Sequence, residues 1–395
     1  MPKKTVENIQ VDGKRVLLRV DFNVPMTAAT REICDDSRIV AALPTIKYLT
    51  ERRAKVILCS HLGRPKGRVI EELRLAPIAR RLSELIGVPV ATASDCVGPE
   101  VEEKVAGLKE GDVLLLENVR FHPEEEQNDA RFAEQLAGMA ELYVDDAFGS
   151  AHRAHASTVG VTRHLPSVCG LLMARELRIM GELLEKPRGP AACLVGGAKV
   201  SDKMGLLQRM IERVDVLLVG GGMAATFLKA QGCPVGRSMV EDDRLELAAA
   251  LIQTAAASRV SFLLPSDVIV AEELVQGAAT QTVIVADIPD NAQIVDIGPQ
   301  SAASFCAELG KCRTVFWNGP MGIYEIPAFS EGTSSIARCV SMLDATTIIG
   351  GGSTAEIVHK MGLTDRMTHV STGGGASLRF LEGADLPGVD ALLDK

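Results

Sequence analysis

Four arginines stand where apolar runs end or helices begin: Arg38, Arg64, Arg120 and Arg153. A guanidinium suits bidentate recognition of phosphate or carboxylate. Four of them gathered together repel one another unless an anion neutralises them, so the first half of the chain points to a small, highly charged anion. Imidazoles and carboxamides accompany them. The apolar run Arg15–Asp21 leaves Asp21 and Asn23 at its tip, where Pro25 stops it. Either is a possible turn residue, and Asn23 can also hydrogen-bond a ligand. Lys55–Ser60 runs into His61, Gly63, Arg64, Lys66 and Arg68, and Asp112–Leu116 runs into Glu117, Asn118, Arg120 and His122. The stretch Tyr143–Gly160, YVDDAFGSAHRAHASTVG, delivers Asp145, Asp146, Ser150, His152, Arg153 and His155, with Gly149 as a bend. Singly, these have ordinary explanations: Asp146 and Ser150 as helix caps, residues 61–68 as a solvated charge run. Their concentration at strand tips favours a ligand-facing rim, because open parallel sheets bind ligands outside the carboxyl ends of their strands. Arg38 adds a conflict. It lies in the first turn of a helix over Ile39–Leu49, capped by Asp36 or Ser37, where a cation opposes the helix dipole; an anionic ligand would resolve it.

The second half tips its strands with glycine. Ala192–Val195 leads to Gly196, Gly197, Ala198, Lys199, Ser201, Asp202 and Lys203. The glycines permit close approach of a ligand to the backbone, and Ser201 or Asp202 can cap the following helix. Lys199 and Lys203, four apart, fall on one face near a helix start, and lysines beside exposed N–H groups make a phosphate site. Val216–Val219 leads to Gly220, Gly221 and Gly222, a slot for a flat base. Val295–Pro299, with Gly298, reads as a turn opening a helix. Thr314–Trp317 leads to Asn318 and Glu325, the latter an acceptor for ribose hydroxyls. Thr346–Ile349 leads to Gly350, Gly351, Gly352, Ser353 and Thr354, and Thr368–Val370 to Gly373 and Gly374 before a last helix from about Ala376. One such tip is ordinary tight turning; five favour nucleotide phosphates. Neither GxxxxGK[ST] nor GxGxxG occurs, which excludes a P-loop ATPase and the usual dinucleotide fingerprint.

The elements that must position these residues are apolar strands alternating with helices, the pattern of an α/β fold. At 395 residues the chain exceeds what one hydrophobic core supports, so two domains are expected. No strand is evident over Val161–Pro190, where Leu171–Leu184 has the spacing of a helix joining the halves; Leu264–Ala271 reads as one strand. A net charge of −9 argues against non-specific nucleic-acid binding. Nine scattered cysteines with no CxxC read as reduced thiols of a cytoplasmic protein. The first ten residues do not read as a signal peptide, and no apolar run approaches the roughly 20 residues of a membrane span.

Nearly end to end, the sequence resembles the phosphoglycerate kinase family. The resemblance rests on RVDFNVP (Arg19–Pro25), SHLGRP (Ser60–Pro65), DCVGPEV (Asp95–Val101), LLENVRFHPEE (Leu115–Glu125), DAFGSAHRAHAST (Asp146–Thr158), GGAKVSDK (Gly196–Lys203), GGGMAATFLKAQG (Gly220–Gly232), WNGPMG (Trp317–Gly322) and STGGGASLRFLEG (Ser371–Gly383). It implies two Rossmann-like, doubly wound parallel-sheet domains facing across a cleft: residues 1–170 for the three-carbon acid phosphate, a hinge helix over 171–186, residues 187–375 for Mg-ADP or Mg-ATP, and 376–395 returning to the first domain. By match to family motifs, Asp21, Asn23, Arg38, His61, Gly63, Arg64, Arg120 and Arg153 bind 3-phosphoglycerate or 1,3-bisphosphoglycerate. Gly197, Ala198, Lys203, Gly221, Gly298, Asn318, Glu325 and Gly350–Thr354 bind nucleotide. Arg38, Lys199 and the N–H groups of Gly373 and Gly374 steady the phosphoryl group. The resemblance also implies a monomer without nucleic-acid or membrane partners.

One position departs from the family pattern. An aspartate that binds the nucleotide's magnesium is expected after the third glycine of Gly350–Gly352; here Ser353 stands there, bringing a hydroxyl but no charge. Two other readings compete: a non-catalytic binding protein on the same fold, and a dinucleotide oxidoreductase. Intact Arg38, Lys199 and Lys203 weigh against the first, the missing GxGxxG and the arginine-rich half against the second.

Overall fold

The computed structural model describes residues 2–27 and 30–395. They form two units, Met1–Arg178 with Asp385–Lys395, and Ile179–Ala384. The boundary falls inside one helix, Leu171–Glu185.

The first unit is a parallel sheet of six strands: β1 (Arg15–Arg19), β2 (Lys55–Cys59), β3 (Val90–Thr92), β4 (Val113–Leu115), β5 (Leu142–Asp145) and β6 (Ser167–Cys169), in the order β3-β4-β2-β1-β5-β6. Apart from the edge strand β3, whose Ala91 and Thr92 are exposed, its strands are buried, as a sheet covered by helices requires. Val16, Leu18, Val56, Leu58, Val113 and Leu115 face a core shared with Ile39, Ile46 and Leu49 of the helix Ser37–Glu51 and with Ile78 and Leu82 of the helix Ala76–Ile86. The chain builds outward from β1 through β2 to β3 and β4, then returns to the other side for β5. The order therefore reverses between β1 and β5, and their tips flank the crevice where such sheets hold ligands.

β6 lies in the stretch that reads as strand-free from sequence. It is three residues long, too short to give a periodic signal; it pairs with β5, and its Cys169 bridges to Thr5. The C-terminal segment completes this unit: Gly388 N–H donates to the Ala151 carbonyl at 2.9 Å, and Lys3 pairs with Asp394 at 2.9 Å. The return begins at Asp385, later than residue 376, because the helix Gly375–Leu381 buries Leu381 in the core of the second unit.

The second unit has β7 (Ala191–Val195), β8 (Val216–Val219), β9 (Ser261–Leu263), β10 (Asp267–Ala271), β11 (Thr280–Ile284), β12 (Gln293–Ile297), β13 (Thr314–Asn318), β14 (Thr346–Gly350) and β15 (His369–Val370). Six make a parallel sheet in the order β15-β14-β13-β7-β8-β9, reversing between β7 and β13. Two cores cover its faces. The other three form an antiparallel sheet, β11-β10-β12, which corrects two expectations. Leu264–Ala271 is not one strand, since β9 ends at Leu263 and β10 begins beyond Pro265 in another sheet. Val295–Ile297 is strand, with the helix Pro299–Leu309 following directly.

Buried aspartates at strand ends cap helices. Asp267 accepts from Gln300 N–H and Ser301 N–H at 3.1 and 2.7 Å. Asp296 accepts from Gly332 N–H at 2.7 Å, in the first turn of Glu331–Val340. Asp146 accepts from Met173 N–H at 3.0 Å, in the first turn of Leu171–Glu185. Such carboxylates satisfy orphan N–H groups and the positive end of the dipole. A Cβ on Gly170 would lie 2.1 Å from Asp146 Oδ1. Gly170→Ala therefore displaces this cap. Adding overpacking to a lost cap, we expect about 2–4 kcal/mol of destabilisation in urea unfolding; an unchanged midpoint would contradict the capping role.

Candidate functional site

The first unit ties the tips of β1, β2 and β4 together through the residues singled out above. Asp21 accepts from Arg38 Nη1 at 2.8 Å and from Asn23 N–H at 3.2 Å. Asn23 Oδ1 accepts from Gly63 N–H at 2.8 Å, and the Gly63 carbonyl accepts from Arg120 Nη1 at 2.9 Å. Gly63 has φ +64°, and a Cβ there would meet Leu73 Cδ2 at 2.8 Å, so the turn requires glycine. Burial pushes the Asp21 carboxyl up, but the charges of Arg38 and Arg19 hold it below its ordinary value. The conflict between Arg38 and the helix dipole is thus answered within the chain, by Asp21. Asp36 does not cap that helix with its side chain; its carboxylate is taken by Arg81 at 2.8 Å.

Beneath this rim lies a charged network that the strand pattern does not reveal. Arg19, the last residue of β1, is fully buried. Its Nε donates to Ser157 Oγ at 2.8 Å, its Nη1 to the Val20 carbonyl, and its Nη2 to His61 Nδ1 at 3.2 Å. An arginine can only donate, so His61 Nδ1 is the acceptor. Burial, with the neighbouring charges of Arg19, Arg120 and Arg38, holds this imidazole neutral far below its usual range against the pull of Asp21. Its single proton is then on Nε2. Ser157 donates through Oγ and N–H to the fully buried Glu125 at 2.6 and 2.9 Å. Its carbonyl accepts from Tyr143 Oη at 2.8 Å. The link Arg19–Ser157 spans the reversal point between β1 and β5, and Tyr143 fastens Ser157 back to β5.

The outer cations are less satisfied. Arg120 is 6% exposed. Its Nε is buried without a hydrogen bond, Glu126 standing 3.4 Å away in poor geometry. Burial and then the repulsion of Arg19 and Arg153 make its charge harder to hold. Burial and the charges of Arg120, Arg19 and Arg153 push His155 down to about 3. Arg153 Nε contacts His152 at 3.1 Å. Arg64 is exposed and, among the described residues, has no hydrogen bond or ion pair; its loop is tethered by Gly67 N–H to the Arg120 carbonyl at 3.3 Å. A buried guanidinium with an orphan donor, pressed by two other arginines and only loosely met by Glu126, has room for a further anionic acceptor.

In the second unit the strand tips beside the β7/β13 reversal are laced backbone to backbone. Gly196 N–H donates to the Asn318 carbonyl, Gly197 N–H to Pro320 and Gly221 N–H to Met321, at 2.9, 2.9 and 3.0 Å. A Cβ on Gly196 would lie 2.2 Å from the Pro320 carbonyl oxygen, and one on Gly221 2.5 Å from the Gly197 nitrogen. These glycines serve the crossing of loops. Gly298 likewise makes room for Asp267, whose carboxylate a Cβ would meet at 2.2 Å. Of the strand-tip glycines singled out in sequence, Gly197 (φ +106°), Gly352 and Gly374 (φ +50°) have open space.

Lys203 reaches Asn318 Oδ1 across the reversal point. Burial lowers Lys203 to about 8, against the charges of Asp202, Cys193 and Glu382. Asn318 is itself fully buried and its Nδ2 has no partner. Lys199 is exposed. The two lysines do not share a helix face, because a 3₁₀ turn, Ser201–Lys203, separates Lys199 from the helix Met204–Ile211. Nor do Ser201 and Asp202 cap that helix; Ser201 is bound to Glu241 at 3.0 Å through its N–H. Gly373 N–H is engaged by Ser371 Oγ at 3.0 Å, leaving Gly374 the less encumbered of the pair. Thr354 Oγ1 accepts from Gly319 N–H at 2.7 Å inside the fold, whereas Ser353 is exposed at the start of the helix Gly352–Lys360. Glu325 is exposed and lines an open cavity of about 340 Å³ with Tyr324, Thr333, Glu356 and Lys360. Ala198 is exposed beside Lys199.

Two parallel sheets, each carrying its polar residues at the point of strand reversal, match the phosphoglycerate kinase family model over residues 6–384. The chain belongs to the phosphoglycerate kinase family. Curated relatives bearing that family name include one from Pelotomaculum thermopropionicum, 56% identical over 395 residues and covering 100% of both chains, and one from Moorella thermoacetica, 53% identical with the same coverage. Among solved structures, phosphoglycerate kinase from Coxiella burnetii is 41% identical, with a TM-score of 0.87 over 99% of this chain and 98% of that one. The enzyme from Pyrococcus horikoshii OT3 is 32% identical, with a TM-score of 0.82 over 98% of each.

Asp145, fully buried at the end of β5, provides a test of the electrostatics near the rim. Burial pushes it up to about 7, against the Ala147 N–H and the Arg19 charge, which favour the carboxylate; the neighbouring Asp146 adds to the rise. An unfolded aspartate ionises near pH 3.9, so the folded protein holds an extra proton between these values. The stability this gives is complete below about pH 4 and is lost as pH rises through about 7. Asp145→Asn is expected to match the parent in unfolding free energy at pH 4 and to exceed it at pH 8, by on the order of 2–4 kcal/mol. Superimposable pH–stability curves would refute this.

Proposed function

We propose that this chain is an ATP-linked phosphotransferase interconverting 1,3-bisphosphoglycerate plus ADP with 3-phosphoglycerate plus ATP, the step of glycolysis and gluconeogenesis its family name describes. The observation that carries the reading is the buried, incompletely bonded Arg120 among Arg19, Arg153 and His155. That arrangement suits an anion with several oxygens, such as a phosphorylated acid. Arg38, held by Asp21, and the free Arg64 supply further cations, and His61 Nε2–H and the Asn23 carboxamide supply neutral donors for a carboxylate or hydroxyl. In the second unit, the open Gly197 backbone, Ala198, the Lys203–Asn318 pair and the Gly350–Thr354 tip suit a nucleotide's phosphates, with Gly221, Gly298 and Glu325 about its base and ribose.

The reaction requires no protein nucleophile. An oxygen of one substrate attacks the terminal phosphorus of the other in line, and the protein contributes positioning and charge. Lys199, exposed and unpaired by any acid among the described residues, supplies charge to the moving group, with Arg38 and the Gly374 N–H. Closure of the two units about the helix Leu171–Glu185 excludes water from the transfer. Magnesium accompanies the nucleotide and spreads its phosphate charge. Magnesium accepts few protein ligands beside phosphate and water, and the exposed Ser353 hydroxyl fits that role. The Glu356 carboxylate, three residues on, is bound to Lys360 at 2.6 Å. A monomer in the cytoplasm completes the reading.

ATP-dependent phosphorylation of 3-phosphoglycerate, coupled to reduction of the product across a magnesium titration, tests it. Turnover is expected, saturating at higher magnesium than for Ser353→Asp, because the serine lacks charge. Lys199→Ala and Arg38→Ala should each lower kcat at least about 10²-fold, the usual cost of one charge-stabilising group. No turnover at any magnesium concentration, with both ligands still bound, would establish a binding protein instead.

A further inference from the structure

A second cluster of ligating side chains lies at the outer side of the first sheet. β3 and β4 are neighbours. Asp95 and Cys96 lie in the loop that follows β3, and His122 follows the 3₁₀ turn Val119–Phe121 beyond β4. The Asp95 carbonyl accepts from Glu117 N–H at 3.3 Å, which fastens the two loops together. One ligand atom each from Asp95, Cys96 and His122 lies within 4.8 Å of the other two, the one such trio among the described residues. None of the three is needed by the phosphoryl-transfer reading.

The donor set is a thiol, an imidazole nitrogen and a carboxylate oxygen. Magnesium and calcium prefer oxygen alone, whereas zinc takes all three types. Two of the three inter-ligand distances can be set against a zinc tetrahedron. With Zn–S about 2.3 Å and Zn–O or Zn–N about 2.0 Å, tetrahedral angles put sulfur and oxygen about 3.5 Å apart, and nitrogen and oxygen about 3.3 Å apart. Cys96 Sγ is 3.5 Å from Asp95 Oδ1. His122 Nε2 is 2.6 Å from the same oxygen, so that pair must open by about 0.7 Å, a small rotation of a half-exposed carboxylate. The ring is steadied by stacking on Phe132, centroids 5.0 Å apart. Cys96 is fully buried, while the Asp95 and His122 side chains are 49% and 27% exposed. The sulfur is therefore held from within, and the fourth position opens to water. The plain alternative is that Asp95 and His122 form a hydrogen-bonded pair that fastens the loops and binds nothing.

We propose that Asp95, Cys96 and His122 form a binding site for a borderline-soft divalent cation, with zinc the best match. The Cys96 proton passes to solvent as the metal–sulfur bond forms, and water completes the tetrahedron.

Cobalt(II) titrated into the full-length reduced protein tests this, since a cobalt–thiolate bond has its own charge-transfer absorption. One equivalent should develop that band, and zinc should erase it. Cys96→Ser should abolish it. His122→Gln should weaken cobalt affinity by more than tenfold, since even an outer-sphere partner is worth that much. Cys34→Ser, at the exposed cysteine, should leave the band unchanged. Absence of the band in the parent, its survival in Cys96→Ser, unchanged cobalt affinity in His122→Gln, or loss of the band in Cys34→Ser would each overturn the proposal. Where Cys96→Ser fails to fold, the half-exposed His122 decides the matter.

Discussion

A guanidinium at the end of β1, sealed from water, is the constraint on which the first unit's rim depends. Arg19 cannot shed its charge, and an uncompensated buried charge costs several kcal/mol. Its five N–H groups must therefore find acceptors, and the acceptors found lie on separate strand tips: Val20 beyond β1, His61 beyond β2 and Ser157 beyond β5. Ser157 hands the interaction on to Glu125 and takes a hydrogen bond from Tyr143. Geometry that would otherwise be left to flexible loops is set by the need to satisfy one buried ion. The network also fixes which proton His61 carries, and its positive charge presses on Arg120 and His155. The rim's readiness for an anion and the rigidity of its frame thus have one source.

The second unit solves its problem with backbone. Three strand tips cross so closely that side chains at Gly196, Gly221 and Gly319 would collide with carbonyls or amides. The lacing leaves Lys203 and Asn318 in contact over the reversal between β7 and β13, the same topological place that Arg19 and Ser157 bridge in the first unit. Each parallel sheet therefore holds its polar machinery where strand order reverses, one by a buried ion and the other by crossing glycine loops.

Much of this was legible in the residues. Apolar runs located the longer parallel strands to within a residue or two, and the tips named Asp21, Asn23, His61, Gly63, Arg120, Lys203 and Asn318, all of which take part in the bonds described. Three things were hidden. β3, β6 and β9 are three residues each, too short for periodicity to register. The antiparallel sheet β11-β10-β12 has one exposed strand, Thr280–Ile284, whose polar side chains look like loop. Partnerships were the third. Sequence spacing could not show that Asp21 rather than a ligand answers Arg38, that Gly373 N–H is spent on Ser371, or that Lys199 and Lys203 part company at a 3₁₀ turn. Arg19 did carry a signal, a charge inside the otherwise apolar RVLLRV run, and Glu125 stood unmarked among three glutamates.

The most direct test of the buried-ion account is calorimetric binding of 3-phosphoglycerate to Ser157→Ala beside the parent protein. The substitution removes only the hydroxyl that joins Arg19 to Glu125, leaving the Ser157 backbone bonds in place. Leaving such buried partners unsatisfied costs about 1–3 kcal/mol, so the variant should fold with a lowered melting temperature. It should bind the acid several-fold more weakly because the strand tips lose their common anchor. Unchanged affinity in a folded variant would contradict the account and return the rim's geometry to its loops.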